Sequence, residues 1–290
     1  MGLGIALSIV LIFLVCFLSL VFGPIILLLK RISDDAGGKK LGWLYAALFG
    51  LGILSGPFAG WLEGYAAAIF APNDVVSFGS AVGMAFGVAA LCEESLKFAF
   101  LLPIALRSRR FKRYVRGVAF AAFVSMGFAT IENVLYVLVN VPEEGVLGGG
   151  FKVAFFRSFT ALIGHFIFSV FMGYFLAIAV MGRRRGENLF AARGGWKNLK
   201  AKDWRHLAKY LTLAFAVPFG VHGLYDFFLM YAGVGAQFSG LSLIVFVGFF
   251  ILSVKIGFYL IDELKAKDFD IRQALRDERR EEARRLWTRR

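Results

Sequence analysis

Apolar runs of roughly twenty residues, the length a helix needs to cross a hydrocarbon core of about 30 Å, recur along this chain between short charged connections. Inside lipid every backbone N–H and C=O must be satisfied within its own segment, so a chain built of such runs folds as helices. Seven segments qualify: Ile5 to Leu29, Leu41 to Leu62, Phe78 to Leu106, Gly117 to Val139, Val153 to Met181, Leu207 to Tyr231 and Leu241 to Ile261. They predict an all-α, polytopic transmembrane helical bundle of about seven spans over residues 1–261, with a motif-bearing core over 78–231 and a charged tail over 262–290. At 59% hydrophobic residues, a soluble domain of this length could not cover its surface with polar groups.

The net charge of +13 is distributed as a topology signal rather than as a nucleic-acid footprint. Basic bursts follow the first span (Lys30, Arg31, Lys39, Lys40), the third (Arg107 to Arg116) and the fifth (Arg183 to Arg205). The intervening connections are acidic or neutral, apart from Lys152 and Arg157 where the fifth span begins. The positive-inside rule then places the N-terminus outside and the tail in the cytoplasm. The first run lacks a basic leader region and a small-residue cleavage site, and is read as a retained helix. Cys16 and Cys92 show neither disulfide nor thiolate-metal spacing. Gly148 to Gly150 mark a mobile external loop, with Val141 to Phe151 a candidate gate or a passive linker. The tail, ending in arginines around Trp287, suits either anionic headgroups or plain solvent.

Ionisable residues inside a span cost a few kcal/mol each and persist where they face a packed interior or a wet cavity. Four spans carry them: Glu93, Glu94 and Lys97 on the third, Glu132 with Asn133 on the fourth, His165 with Ser169 on the fifth, His222 with Asp226 on the sixth. Counting back to the nearest cytoplasmic basic residue gives fourteen residues for Glu93, sixteen for Glu132, eighteen for His165 and thirteen for His222. At about 1.5 Å per residue, all four lie roughly 20 to 27 Å in, one layer in the outer half of the membrane. On the third helix, Gly83, Gly87 and Ala90 mark a close-packed face that Glu94 and Lys97 continue at 100° per residue, with Glu93 toward one edge. Gly173 offers a close-packing gap on the face of His165 and Ser169, and Pro218 loosens the turn before His222.

Peptide hydrolysis needs an activated water, an oxyanion donor and an acid for the leaving amine, and these carboxylates and histidines cover those roles. Glu93, Glu94, Glu132, His165 and His222 are the candidate catalytic residues. Asp226, Asn133 and Ser169 are candidates for substrate orientation or the oxyanion, and Lys97 is the charge partner of the glutamate pair. No metal or other cofactor is favoured, although Glu93, Glu132, His165 and His222 form a plausible Zn²⁺ ligand set without an HExxH motif. The same residues would also serve an ion- or proton-coupled transporter, or a non-catalytic scaffold that holds partner helices.

The motifs EExxK (Glu93 to Lys97), FxxxEN (Phe128 to Asn133), HxxxSxxxG (His165 to Gly173) and HxxxD (His222 to Asp226) follow in order on successive helices. In this the chain resembles the PrsW family of intramembrane proteases, over about its central half. The resemblance implies a multi-pass protein of the prokaryotic cytoplasmic membrane, related to the CAAX-prenyl endopeptidase and bacteriocin-processing group. It further implies cleavage of a single-span, membrane-anchored protein such as an anti-sigma factor near its extracytoplasmic face. Glu93 or Glu94 would activate water, Glu132 and His165 would assist, and His222 and Asp226 would orient the substrate or stabilise the oxyanion. Related proteases place histidine at the position of Glu132, and both glutamic and metal-dependent mechanisms have been described for the family. The metal-free mechanism is the one favoured here, with lipids and a single-span substrate as partners and no nucleic acid.

Overall fold

A computed structural model describes residues 23–37, 41–70, 77–108, 110–145, 151–181, 201–232 and 239–287. Helix α1 covers 23–35, followed by α2 (Gly42–Phe70), α3 (Phe78–Val82), a π-helical segment (Gly83–Ala90), α4 (Leu91–Arg107), α5 (Val115–Gly145), α6 (Phe151–Phe159), α7 (Ala161–Val180), α8 (Ala201–Ala232) and α9 (Ser239–Trp287). Most of the expected first span, Cys16, the Gly148 to Gly150 run and most of the basic connection after the fifth span lie outside the described residues.

Five of these helices are long and apolar enough to cross a membrane: Gly42–Phe70, Val115–Val137, Ala154–Val180, Asp203–Tyr231 and Gly240–Glu282. The third expected span is instead a composite rod. It starts in a capping box, Ser77 Oγ accepting from Ser80 N–H at 3.1 Å and Ser80 Oγ from Ser77 N–H at 2.7 Å. It then runs through the π-helical turns into α4. The fifth expected span is distorted at Thr160 into α6 and α7, where the Thr160 hydroxyl donates to the Phe156 carbonyl at 2.9 Å. The fourth continues as helix through Gly145, into the stretch expected as loop, and the last through Trp287 without a break at Ile261.

The apolar stretch of α7 is 78% buried and that of α5 72%, against 22% for α9, so α5 and α7 are the inner helices. Around them α2 packs on α5, α5 on α7 and α7 on α8, while the π-helical segment and α4 close the circuit between α8 and α2. Glycines set the tightest crossings. A Cβ on Gly52 would strike the Val124 carbonyl and one on Gly127 the Phe49 carbonyl, which fixes α2 against α5. Gly117 and Gly173 do the same for α5 and α7, so the gap expected at Gly173 is filled by the backbone of α5.

At the basic ends of the helices, Asp268 of α9 is buried and caps α5, its carboxylate accepting from Tyr114 N–H at 2.7 Å and Val115 N–H at 3.2 Å. Arg113 approaches the same carboxylate at 3.5 Å, Lys265 pairs with Asp35 at 2.8 Å, and Arg116 donates to the Ala36 carbonyl at 3.1 Å. Burial and the Asp268 charge push the Tyr114 phenol above its usual range. The first turns of the tail are therefore tied to the bundle. Asp268→Ala should cost about 1 to 2 kcal/mol through the lost cap, read as faster amide exchange at Tyr114 and Val115 and a lower unfolding temperature in detergent.

Candidate active site

The first turns of α4 place three charged side chains in the interior: Glu93, Glu94 and Lys97 are 5%, 1% and 1% exposed. Spacings of three and four residues put both carboxylates on the face of the lysine. Lys97 Nζ donates to Glu93 Oε2 at 3.0 Å and to Glu94 Oε1 at 2.8 Å. Glu93, expected toward one edge of this face, is the more exposed of the two glutamates and is still buried. All three residues enter the same interior.

The third proton of the Lys97 ammonium faces His165 Nδ1 of α7 at 3.1 Å, and the ammonium also lies 4.2 Å from the centre of the Phe128 ring. A lysine ammonium only donates, so Nδ1 is the acceptor and the His165 proton sits on Nε2. That nitrogen faces Glu132 Oε2 of α5 at 2.7 Å. Ser125 Oγ donates to the His165 carbonyl at 2.9 Å and fixes the backbone at this point.

His222 of α8 lies between two carboxylates, with Nδ1 2.9 Å from Glu94 Oε1 and Nε2 3.2 Å from Asp226 Oδ2. A ring flanked by two carboxylates is satisfied as a double donor. It stacks on Phe168 at 4.5 Å, and its centroid is 5.4 Å from that of His165. Glu93 Oε2 faces both rings, 4.0 Å from His165 Nδ1 and 3.9 Å from His222 Nε2. Glu94 Oε2 is buried with no hydrogen-bond partner.

Two charged residues given no role in the sequence analysis, Arg157 at the start of the fifth expected span and Glu63 after the second, belong to this neighbourhood. Arg157, in the last turn of α6, pairs with Glu132 Oε1 at 2.8 Å, and its Nε donates to Asn133 Oδ1 at 2.7 Å. Glu63, near the end of α2, is close enough to Glu132, Lys97, His222 and Asp226 to feel their charges. Arg157 had a signal: it was one of two cations on the side that the charge alternation leaves acidic or neutral. Glu63 had none, since its span is a rod two turns longer than the apolar run shows. Ser169 stands apart, its hydroxyl donating to the Phe166 carbonyl at 2.6 Å. His206 lies elsewhere, against the Ile178 carbonyl.

Lys97, Arg157 and the doubly donating His222 supply three positive charges to the carboxylates of Glu93, Glu94, Glu132 and Asp226, with Glu63 nearby. The excess of carboxylates calls for protons shared among the carboxyls or for a cation. The donors suit a divalent ion as well. The ligating atoms of Glu93, Glu94 and His222 lie within 4.8 Å of one another, as do those of Glu93, Glu132 and His165, so Glu93 is common to both sets. The Lys97 ammonium sits against the same atoms. Lys97→Met, which strands the two glutamates in the interior, should cost about 3 to 5 kcal/mol, and Glu93→Gln with Glu94→Gln added to it should restore much of the unfolding temperature.

Comparison with known proteins adds a family description, PrsW family intramembrane metalloprotease, whose model matches residues 40–253. Among curated relatives, Protease PrsW of Oceanobacillus iheyensis is 32% identical over 145 residues, which cover 50% of this chain and 54% of that protein. Protease PrsW of Bacillus subtilis is 32% identical over 151 residues, 52% of this chain and 56% of that protein. Protease PrsW of Clostridioides difficile is 26% identical over 175 residues, 60% and 62% respectively. The chain thus spans little more than half the length of these curated relatives. No solved structure matches.

Proposed function

The chain belongs to the PrsW family, and from that premise we propose that it is an intramembrane endopeptidase that hydrolyses peptide bonds of single-span membrane proteins, with Glu93 activating the water. The observation that carries this reading is Glu93 Oε2 standing 3.9 to 4.0 Å from one nitrogen of each of two imidazoles. Lys97 Nζ spans the separation toward His165, at 3.0 and 3.1 Å, while the separation toward His222 is too long for a direct hydrogen bond and of the size that one bridging oxygen spans.

Of the adjacent pair, Glu93 fits the base and Glu94 the supporting role. Both accept from Lys97, but Glu94 Oε1 is also held by His222 Nδ1 at 2.9 Å, whereas Glu93 is the more exposed of the two and faces both histidines at longer range. In the reaction a water oxygen bonds to the scissile carbonyl carbon as Glu93 takes its proton. Collapse then breaks the C–N bond, and Glu93 returns that proton to the leaving amine. The Asn133 amide NH2, buried and without a hydrogen-bond partner, is the group available to the oxyanion. Lys97 keeps the charge of Glu94 neutralised so that a single glutamate exchanges protons.

A specific observation favours a second form of this reading. The two donor sets that share Glu93 would let Glu93, His165 and His222 hold a zinc ion, with Glu94 or Glu132 completing the set. A bound zinc would polarise the carbonyl and acidify the water. Loading it would displace the Lys97 ammonium from these atoms.

The outer-half depth counted from the sequence, and the family resemblance, support a cut near the extracytoplasmic face of the prokaryotic cytoplasmic membrane, with an anti-sigma factor as the candidate substrate. Cleavage of a single-span substrate by purified protein in detergent tests the assignment. Glu93→Gln should lower kcat by about 10²- to 10⁴-fold, and His222→Ala should also impair cleavage. Full activity in Glu93→Gln would sink the proposal. Loss of wild-type activity on chelation, restored by zinc, would select the metal-dependent form.

A further inference from the structure

We infer that Arg157 is a positioning residue of this site: one guanidinium holds the Glu132 carboxylate against His165 and turns the Asn133 amide so that its NH2 group is the free donor. The inference rests on the hydrolytic reading above for its consequence in turnover, and on geometry alone for the contacts.

Arg157 reaches two neighbouring residues of α5 from α6. Its NH2 nitrogen pairs with Glu132 Oε1 at 2.8 Å and its Nε donates to Asn133 Oδ1 at 2.7 Å. The guanidinium also lies over the Tyr136 ring, 3.8 Å from its centre, so one face is fixed by cation–π contact while the edge makes both polar contacts. The side chains of Arg157 and Glu132 are only 18% and 16% exposed, which keeps the pair from the solvent screening that makes surface pairs weak.

Each contact settles a choice further in. The second oxygen of Glu132 faces His165 Nε2 at 2.7 Å, so a carboxylate fixed at Oε1 presents Oε2 in one direction. The ring of His165 is thereby held with Nε2–H outward and Nδ1 inward, toward Lys97 and Glu93. Arginine has no acceptor, so the Asn133 atom facing it must be Oδ1. The Asn133 Nδ2 is left buried and without a hydrogen-bond partner. A buried NH2 held in this way is suited to a carbonyl oxygen of an extended peptide. Arg157 thus reads as the reason a cation stands on the acidic side of the membrane: two functional groups of α5 need one donor to set both.

The test uses the full chain labelled with ¹⁵N-histidine, which carries three residues to observe, His165, His206 and His222. An imidazole N–H bonded to a carboxylate gives a proton resonance far downfield that exchanges slowly with water. In wild type, His165 should show it, as identified by its disappearance in His165→Gln. Arg157→Gln should move that resonance upfield and speed its exchange while leaving the His206 and His222 signals in place. With a single-span substrate, the same variant should lower kcat about 10- to 100-fold with KM changed little. Arg157→Lys keeps a charge beside Glu132 but cannot span both groups, so it should retain the His165 resonance and still cleave more slowly than wild type.

An unchanged His165 resonance in Arg157→Gln overturns the inference, as does wild-type turnover in Arg157→Lys. Should Arg157→Gln fail to fold, the lysine variant alone decides between these outcomes. If wild type cleaves nothing while Arg157→Gln still shifts the His165 resonance, the positioning role stands and the hydrolytic reading fails.

Discussion

The buried ammonium of Lys97 is the interaction on which the rest of the interior depends. Its three protons go to Glu93, Glu94 and His165, two acceptors on its own helix and one on α7, and the Phe128 ring of α5 covers it. An ion taken from water into a packed interior is tolerated when its hydrogen bonds are complete and its charge is matched. This one meets both conditions, and in doing so it sets the proton position on His165 and draws α4, α5 and α7 to one point. His222 joins α8 to the same point through Glu94.

The surrounding fold makes such a centre possible by packing helices without large side chains between them. At the crossing of α2 with α5 glycines lie directly against the backbones of Val124 and Phe49, and at that of α5 with α7 Gly117 and Gly173 meet each other. Glu93 and Glu94, adjacent in sequence and about 100° apart on α4, flank the line of Lys97 and so both enter the interior. Two neighbouring carboxylates with different partners can take different roles, one held by Lys97 and His222, the other facing both histidines.

Much of this was legible in the sequence where the relevant spacing runs along one helix. The apolar runs foretold the helices, and the EExxK spacing a charge partner for the glutamate pair in Lys97, which in the structure holds both; the four-residue HxxxD spacing brings His222 onto Asp226. Contacts between helices were less visible. Neither the partner of Glu132 nor the reach of Arg157 follows from local pattern, since α5 and α6 are joined through residues whose spacing says nothing about facing. Ser169 shared a face with His165 in projection, yet its hydroxyl is taken by the backbone three residues earlier, as serine in an apolar helix often is. The last helix passed its apolar limit at Ile261 because Asp268 and Lys265 give its charged continuation partners at the bundle end.

The central claim is that this buried cluster delivers water to a peptide bond inside the bilayer. Cleavage of a single-span substrate by the protein in liposomes prepared in H₂¹⁸O, followed by mass spectrometry of both fragments, measures it directly. The account predicts one new carboxyl terminus carrying a single ¹⁸O atom, at a substrate position in the outer half of its membrane span. Intact substrate, or a cut confined to its water-exposed segments, would contradict it.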